Sequence, residues 1–349
     1  MPVPLTPEQA HQFDNHDAPV AHLDLLNAIS FRSATAGLRL GVFEALADGP
    51  RPAAALAEQI SVDPLGLRIL LDALVGFGYL TCSDGGYANS TNTTRWLLRT
   101  ATNSYAPVLS FWGSVIAELW GDLEESVRRG DATGDFYHWL EDRPETLADF
   151  HMMLRRLAGW LAEEVLSLVP APPLDGTMLD LGGGHAAYTI AFCRAYPQLR
   201  ATVLDLPGAL AQGTAAVAEA QLNDRVKLRP GDLFSAEFGA GHDLVLLLNI
   251  LHGYPEHEAA QLLKRVAAAL RPGGQVVLLE PLAESPQPPP GIGDAWVRAF
   301  SLNLFHTQGG RAYGLDELSG LLTAAGFTDL RQHLLTRSDT DHLVLATRA

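Results

Sequence analysis

The sequence predicts an α/β protein in which a mostly helical N-terminal part precedes a C-terminal part built on a parallel sheet. From residue 177 onward, apolar strands alternate with helices, which is typical of a parallel sheet covered on both faces. Between residues 20 and 100, short helices lead to β-prone runs around Asp84-Gly85-Gly86. These turn residues between two β-prone runs predict a hairpin. Short helices followed by a hairpin are the pattern of a winged helix. The Pro-rich stretch 171–176 separates the two patterns.

We expect three parts: residues 1–100, a helical segment over 101–170, and residues 171–349. In the first part, apolar residues at helical spacing run as far as Gly49-Pro50, and residues 51–60 predict a short helix. Asp63 is a predicted N-cap, and the helix that follows it over 65–80 is apolar on most sides, so we expect it to be buried. A winged helix can read DNA, but this one offers a single basic residue, Arg68, where DNA binding needs several. The apolar first helices fit a dimer interface better.

The middle segment is rich in aromatic residues at helical spacing, and Gly130 and Gly134 mark a turn within it. Met152 and Met153 are a candidate pocket wall, because methionine adapts its shape to flat apolar ligands. In the last part we expect strands at 177–183, 199–207, 226–232, 243–251, 275–282, 329–335 and 341–348. We expect helices at 186–197, 208–221, 256–274 and 315–327, and a loop at 285–291.

Composition excludes several classes of function. The 349 residues carry a formal net charge of −16, which repels phosphate backbones and argues against a nucleic-acid partner. The two cysteines cannot form a disulfide framework. No His/Asp/Glu cluster has the spacing of metal ligands, and the pair that comes nearest to such a spacing is His252 and His257. No apolar run is long enough to cross a membrane, and the first residues lack the pattern of a signal peptide, so we expect a cytoplasmic protein with no membrane partner.

A glycine-rich turn follows the first strand of the sheet. Asp180 precedes Gly182 and Gly184, and glycines at this place let the backbone approach a ligand closely. A dinucleotide fingerprint needs a further glycine where Ala187 stands. Asp180 would repel a pyrophosphate but suits an ammonium or a sulfonium.

Two more acids follow the next two strands. Asp205 is placed to accept hydrogen bonds from both ribose hydroxyls, and Asp232 to accept one from an adenine amino group. Leu233 and Phe234 are expected to pack on the adenine ring. Three acids at three successive strand ends describe a site for a positively charged adenosine without phosphate, namely S-adenosylmethionine (SAM). Leu206 and Asn249, which follow the second and fourth strands, complete the predicted cofactor-binding set.

The chain resembles the family of SAM-dependent O-methyltransferases of the plant caffeate/isoflavone and bacterial polyketide type. The resemblance covers nearly the whole chain and rests on segments 118–131, 138–153, 179–184, 203–207, 230–234, 247–259, 270–282 and 309–318. It implies a Rossmann-like methyltransferase domain, whose sheet ends in an antiparallel strand, behind a winged-helix dimerisation domain. It also implies a homodimer that acts on a small aromatic or polyketide acceptor. By resemblance, Gly182 and Gly184 carry the SAM loop, Asp205 the ribose, and Asp232 with Leu233 the adenine.

The family's general base is a histidine just after the fourth strand, and His252 matches it. Methyl transfer is a displacement at a sulfonium carbon, so the protein must mainly position the reactants and deprotonate a weakly acidic phenol. A histidine with a near-neutral pKa can take that proton. Glu280 stands where the family places the glutamate that orients the base.

The acceptor side departs from the family pattern. Gly253 and Tyr254 replace the Asp and Trp that follow the base, and Leu248 replaces a Lys before it. Ala312 replaces a second Glu. In the glycine loop, Ala186, preceded by His185, replaces the family's last glycine. These departures leave open a C-methyltransferase, or a pericyclic or decarboxylating enzyme that keeps SAM without transferring methyl. A second set of residues is predicted to form the acceptor pocket, namely Met152, Met153, Trp296, Phe300, Asn303 and His306.

Overall fold

The structure is a computed structural model that describes residues 5–84, 86–283 and 291–349. Two compact units divide the chain, Met1–Gly121 and Asp122–Ala349. The division falls inside the segment 101–170, so the helices of that segment belong to two different units. Most of the predicted loop at 285–291 lies outside the described residues, as does Gly85 of the predicted hairpin turn.

The N-terminal unit consists of helices around a short hairpin. Asp63 caps its helix as predicted, since its Oδ1 accepts a hydrogen bond of 2.8 Å from the Gly66 amide. Gly41 breaks the predicted first helix in two because it adopts a left-handed conformation with φ of 75°. The helices are α1 Pro7–Asp14, α2 Ala21–Arg39, α3 Val42–Ala45, α4 Ala53–Gln59, α5 Pro64–Gly76, α6 Thr91–Trp96 and α7 Ala106–Glu118, and the antiparallel hairpin is β1 Leu80–Ser83 and β2 Gly86–Asn89.

The expectation that the helix at 65–80 is buried is wrong. Leu67, Leu71 and Leu74 of α5 are buried in the core of this unit, but Leu65 and Ile69 on the opposite face are each 59% exposed. Leu25 and Ile29 of α2 are likewise 57% and 48% exposed, and we call these four side chains the apolar row. Beside it lies an open hollow of about 450 Å³, whose lining is Ala28, Ile29, Arg32, Ser33, Ala36 and Leu70.

The C-terminal unit is a seven-stranded sheet in the order β5-β4-β3-β6-β7-β9-β8. All neighbouring strands are parallel except for β9, which runs antiparallel to both β7 and β8, as the predicted fold requires. The strands are β3 Thr177–Leu181, β4 Arg200–Asp205, β5 Val226–Pro230, β6 His242–Leu248, β7 Leu270–Pro281, β8 Phe327–Leu334 and β9 Asp341–Arg348.

Helices cover both faces of this sheet, as predicted. One apolar core joins it to α10, α11 and α12, and a second core joins the opposite face to α13 and α15. The helices are α8 Leu123–Arg129, α9 Phe136–Glu141, α10 Pro144–Leu168, α11 Ala187–Ala195, α12 Pro207–Glu219, α13 Glu256–Ala269, α14 Ile292–Gln308 and α15 Leu315–Ala324. Helix α14 was not predicted as a helix, although four pocket candidates lie on it.

The strand order fixes where a ligand can bind. Chain order reverses between β3 and β6, and the crevice outside the carboxyl ends of the strands at such a reversal is the usual ligand site of an open α/β sheet. The glycine turn, Asp205, Asp232, Asn249 and Glu280 all lie at this edge. None of the helices in the described ranges combines the length and apolar character that crossing a bilayer requires.

Candidate active site

The glycine turn brings backbone close to the ligand edge. Gly182 adopts a left-handed φ of 73°, and a Cβ there would lie 2.2 Å from Cδ1 of Ile250. A Cβ on Gly184 would lie 2.7 Å from Oδ2 of Asp205 and 2.8 Å from Cβ of Ala209. No side chain fits at either position, so the turn presents bare backbone just before α11 begins.

Asp180 lies beneath this turn. Its side chain is 2% exposed and accepts a 2.6 Å hydrogen bond from the Thr189 hydroxyl. Burial raises the pKa of Asp180 to about 7, and the nearby charge of Asp205 adds to the shift. A carboxylate whose pKa is raised this far is stabilised in its charged form by a cation that binds beside it.

Asp205 holds the turn to the end of β4. Its Oδ2 accepts from the Gly184 amide at 2.8 Å and its Oδ1 from the Leu206 amide at 2.7 Å. Burial raises the pKa of Asp205, although the two amides oppose the shift. Each carboxylate oxygen retains a second lone pair, so the pair of ribose hydroxyls still fits. Leu206, which was predicted in the cofactor set, takes part here through its backbone amide, which donates to Asp205.

The predicted adenine end of the site lies after β5. Asp232 is exposed, and only its Oδ1 is used, by the Phe234 and Ser235 amides at 2.9 and 3.0 Å. Leu233 is 7% exposed because its side chain packs into the apolar core, so it is Phe234 that offers a ring surface. The Phe234 ring meets the Tyr254 ring edge to face, with centroids 5.0 Å apart.

Two tyrosines that the sequence did not assign to the cofactor set lie near its candidate acids. Desolvation of the phenol raises the pKa of Tyr137 to about 12, with a contribution from the charge of Asp205, although the residue as a whole is 42% exposed. Burial also raises the pKa of Tyr254, with contributions from Tyr137, Asp232 and Asp205. Tyr254 could have been found from its place two residues after the candidate base, but Tyr137 carries no such signal.

Asn249 follows β6 directly and has a left-handed backbone conformation. Its φ is 58°, and its backbone amide donates to the Leu279 carbonyl at 2.7 Å. Its side-chain Oδ1 is buried without a hydrogen-bond partner. A buried acceptor left unpaired is costly, so a donor from a ligand or an ordered water would stabilise this atom. It fits the cofactor role predicted for it.

The candidate base forms a buried pair with Glu280. His252 lies in a 3₁₀ turn, Leu251–Gly253, and its Nδ1 is 2.5 Å from Oε2 of Glu280. Oε1 of Glu280 accepts from the amides of Ile250 and Leu251 at 3.0 and 2.8 Å. Both residues are buried, with His252 8% and Glu280 2% exposed. The carboxylate therefore holds the proton of the neutral imidazole on Nδ1 and leaves Nε2 as an acceptor.

Close packing fixes the turn that bears the base. A Cβ on Gly310 would lie 2.1 Å from the His252 carbonyl oxygen, and a Cβ on Gly253 would lie 2.9 Å from Oε1 of Gln308. Ala312, where the family has a second glutamate, is buried and its amide donates to the Ser301 hydroxyl at 3.1 Å. A different acid, Asp341, is buried at the start of β9, and burial raises its pKa, with Glu280 adding to the shift.

Of the acceptor-pocket candidates, the structure brings two aromatic residues to the base. Phe300 meets the His252 ring edge to face at 5.3 Å, and Trp296 stacks on Phe300 at 6.2 Å and 8°. Met152 is 39% exposed and Met153 is half-buried, both on α10. Asn303 is buried on α14.

His306 is 1% exposed, with its Nδ1 2.7 Å from the Ser126 hydroxyl, so it packs α14 against α8 rather than facing the base. Within the residues described, no three His, Cys, Asp or Glu side chains come together as a possible metal site.

Comparison with known proteins identifies relatives along most of the chain. A family model described as the O-methyltransferase domain matches residues 120–328, and one described as the O-methyltransferase dimerisation domain matches residues 23–100. Acetylserotonin O-methyltransferase of Mus musculus is 31% identical over 316 residues, which is 85% of this chain and 80% of that protein. L-tyrosine C(3)-methyltransferase of Streptomyces lavendulae is 29% identical over 319 residues, covering 87% and 85%. The crystal structure of TnmH superposes with a TM-score of 0.82 at 26% identity, covering 94% of this chain and 98% of that one.

Proposed function

Because this chain belongs to the O-methyltransferase family, we propose that it transfers the methyl group of SAM to a hydroxyl of an aromatic small molecule, with His252 as general base. The observation that carries the proposal is the buried His252–Glu280 pair, which lies at the same sheet edge as the glycine turn and Asp205. SAM dependence belongs to the family. The acceptor and the role of each residue are our proposals.

The residues present fit the cofactor. The bare backbone at Gly182 and Gly184, the spare lone pairs of Asp205 and the unused oxygen of Asp232 correspond to its polar groups, and the Phe234 and Tyr254 rings to its adenine. The unpaired Oδ1 of Asn249 supplies a further acceptor at the same edge of the sheet. When bound, SAM supplies an electrophilic methyl group on a leaving group that departs as a neutral thioether.

The His252–Glu280 pair performs the proton transfer. Nε2 of His252 takes the acceptor's hydroxyl proton, and the resulting imidazolium is stabilised by the carboxylate at 2.5 Å. The Ile250 and Leu251 amides hold that carboxylate in place through two hydrogen bonds. Phe300 and Trp296 offer flat apolar surfaces beside the base, which suits a planar aromatic acceptor.

The test begins with calorimetric titration of SAM and S-adenosylhomocysteine (SAH). Turnover is then followed as SAH release with a panel of phenols that includes N-acetylserotonin and hydroxynaphthoates. Replacing His252 by Ala should lower turnover by about 10²–10⁴-fold, the usual contribution of a general base, with SAH affinity unchanged. Equal turnover in wild type and variant would remove His252 from this role.

A second candidate function is C-methylation. The relative from Streptomyces lavendulae is named as a C-methyltransferase, and Gly253 and Ala312 depart from the O-methyltransferase pattern beside the base. Deprotonating a phenol also makes its ortho carbon nucleophilic, so the same base serves both outcomes. Carbon-13 NMR of a product made from methyl-labelled SAM distinguishes an aryl ether from an aryl methyl group. A product without added methyl and without SAH release would instead indicate a non-methylating enzyme.

We also propose that the chain acts as a homodimer through its N-terminal unit. The dimerisation-domain match covers 23–100, and the apolar row of Leu25, Ile29, Leu65 and Ile69 lies within it. Several exposed large apolar side chains within one small unit are typical of a surface that a partner covers. A cytoplasmic location remains a prediction.

A further inference from the structure

Tyr313 is a buried residue without a role in the function proposed above, and it joins the two chain segments that bear the His252–Glu280 pair. It is 2% exposed, and its hydroxyl donates a hydrogen bond of 2.7 Å to the Tyr254 carbonyl, two residues after His252. Its own backbone carbonyl accepts a hydrogen bond of 2.9 Å from the Ala283 amide, three residues after Glu280. One residue is therefore bonded to the chain just beyond the candidate base and just beyond the acid that orients it.

The bond to Tyr254 holds the far end of the turn that bears the base. The 3₁₀ turn Leu251–Gly253 closes where the Tyr254 amide donates to the Leu251 carbonyl at 3.0 Å. The backbone at Tyr254 is extended, and α13 begins two residues later at Glu256. Within the described ranges, no backbone amide donates to the Tyr254 carbonyl, so the hydroxyl of Tyr313 is the group that fixes this point.

The surroundings of Tyr313 keep its hydroxyl in place as a donor. Burial raises the pKa of Tyr313 to about 12, so the phenol is protonated at neutral pH. The Arg311 guanidinium lies over the ring, 4.6 Å from its centroid. Both carboxylate oxygens of Glu317 accept hydrogen bonds from that guanidinium, at 2.8 and 2.9 Å. The ring is thus packed between the apolar core and a guanidinium that is itself held, which fixes the direction of its hydroxyl.

The place of the imidazole depends on the backbone of its turn. The contact of Glu280 with Nδ1 orients the ring of His252, but the turn sets where Nε2 lies. Gly310, three residues before Tyr313 on the same loop, packs so closely on the turn that a Cβ there would lie 2.1 Å from the His252 carbonyl oxygen. The loop thus bounds the turn at Gly310 and ties it at Tyr313. A displacement of about 1 Å in a reacting group can cost about 10²-fold in rate, so these contacts bear on proton transfer.

We propose that Tyr313 is a positioning residue for the proton transfer, because it fixes the turn of His252 relative to the end of β7 that bears Glu280. This inference rests on the proposed function and deepens it. In this role Tyr313 acts through the backbone of Tyr254 and not on the acceptor itself. Without its hydroxyl, the turn is held less firmly and Nε2 of His252 lies less precisely at the acceptor's hydroxyl. The loss should therefore fall on the deprotonation step.

The test compares two acceptors that differ in their need for a base. One is the best phenol of the panel, and the other is a fluorinated derivative of it that is already ionised at the assay pH. A variant that impairs only the base slows the first acceptor and spares the second, because the second brings no proton to remove. A variant that loosens the fold or the acceptor pocket slows both. The rate measured is single-turnover SAH release by the full chain at saturating SAM.

Tyr313→Phe should lower the rate with the phenol by about 10-fold, the effect of one lost hydrogen bond on the transition state. With the ionised derivative the rate should change by no more than about 2-fold. His252→Ala should show the same selectivity at its larger magnitude of about 10²–10⁴-fold. The double variant should be no slower than His252→Ala alone, because both changes affect one step.

Tyr87→Phe is the matched control. It removes a hydroxyl hydrogen bond of 2.5 Å, from buried Tyr87 to Asp72, within the N-terminal unit. It should leave the rates with both acceptors unchanged.

The outcomes separate this inference from the proposed function. If no phenol gives SAH release, or if His252→Ala slows both acceptors equally or neither, the base assignment is wrong and both proposals fail. If His252→Ala is selective but Tyr313→Phe leaves the phenol rate unchanged, or slows both acceptors equally, only the positioning role is overturned. Additive losses in the double variant would overturn it as well.

Should Tyr313→Phe fail to fold in a thermal melt, Arg311→Gln decides the matter, because it removes the guanidinium over the Tyr313 ring. A smaller loss confined to the phenol supports the positioning role. No loss, or an equal loss with both acceptors, overturns it.

Discussion

Replacing Glu280 by Gln tests how the base is prepared. In the wild type, Oε1 receives two backbone amides and Oε2 receives Nδ1–H of His252 at 2.5 Å. Glutamine has one acceptor oxygen, and the two amides occupy it, so its NH₂ group must face Nδ1. The imidazole then has to accept at Nδ1 and carry its proton on Nε2. In that tautomer it cannot take a proton from the acceptor.

The expected loss follows from this geometry. Glu280→Gln should lower kcat by about 10²–10⁴-fold, which is the usual rate contribution of a general base. His252 is still present in this variant, but its tautomer is the wrong one for accepting a proton. SAH affinity should stay within about 2-fold, since none of the cofactor contacts changes. The double variant Glu280→Gln with His252→Ala should be no slower than the His252→Ala variant alone, because the two side chains act as one device.

The assay is single-turnover SAH release with the best phenol of the panel, with circular dichroism to confirm the fold. Glu256→Gln, at an acid whose side chain is 69% exposed, is the control and should keep wild-type rates. Retention of a third or more of the wild-type kcat by Glu280→Gln would refute the tautomer argument. Additive losses in the double variant would do the same.

Three further predictions follow from the structure. Gly184→Ala should weaken SAH by 10-fold or more in calorimetry, because its Cβ would lie 2.7 Å from Asp205 Oδ2, whereas Gly208→Ala, whose Cβ meets nothing within 4 Å, should bind normally. Asp180 has a pKa raised from 3.8 to about 7, so the ligand-free native state binds this proton more tightly than the unfolded chain. The stability that this protonated carboxyl group contributes is therefore lost as the pH rises from about 4 to 7, and the free energy of unfolding falls over that range. Chemical denaturation across that range should show Asp180→Asn to be less pH-dependent than wild type, and equal slopes would contradict the assignment. Ile29→Asp should convert a dimer to a monomer in light scattering, while Leu174→Asp, at an 82% exposed side chain outside the apolar row, should not.

The sheet and its edge could be predicted because each part has a local signature. Buried parallel strands are short apolar runs. Asp180 is the last residue but one of β3, Asp205 ends β4, and Asp232 follows β5. Once the strands are aligned, the strand ends must share an edge, so the three acids come together without further information. The same logic places His252 after β6 and Glu280 at the carboxyl end of the neighbouring strand β7. Their contact through Nδ1 is a matter of side-chain geometry that spacing only suggests.

What the sequence missed depends on surroundings rather than on local pattern. Helix α14 begins just after the Pro-rich stretch, and its mixture of polar and aromatic residues lacks a clear apolar stripe. Tyr137 has the same helical spacing whether it fills a core or lines a cavity. Apolar periodicity likewise could not show that Leu65 and Ile69 lack a cover within their own unit. Leu233 was expected on the adenine ring, but the turn after β5 directs its side chain into the core and leaves the ring surface to Phe234.

The close approach of Gly310 to the His252 carbonyl has a consequence for how such an enzyme can diverge. Any side chain at 310 would displace the backbone that carries the base, so a new acceptor cannot be gained by substitution there without losing catalysis. Position 312 is restricted as well, because Ala312 is 3% exposed and its amide donates to the Ser301 hydroxyl. Packing therefore limits both positions of this short loop. A change of acceptor has to come from other residues near the candidate base, such as Phe300 and Trp296 on α14.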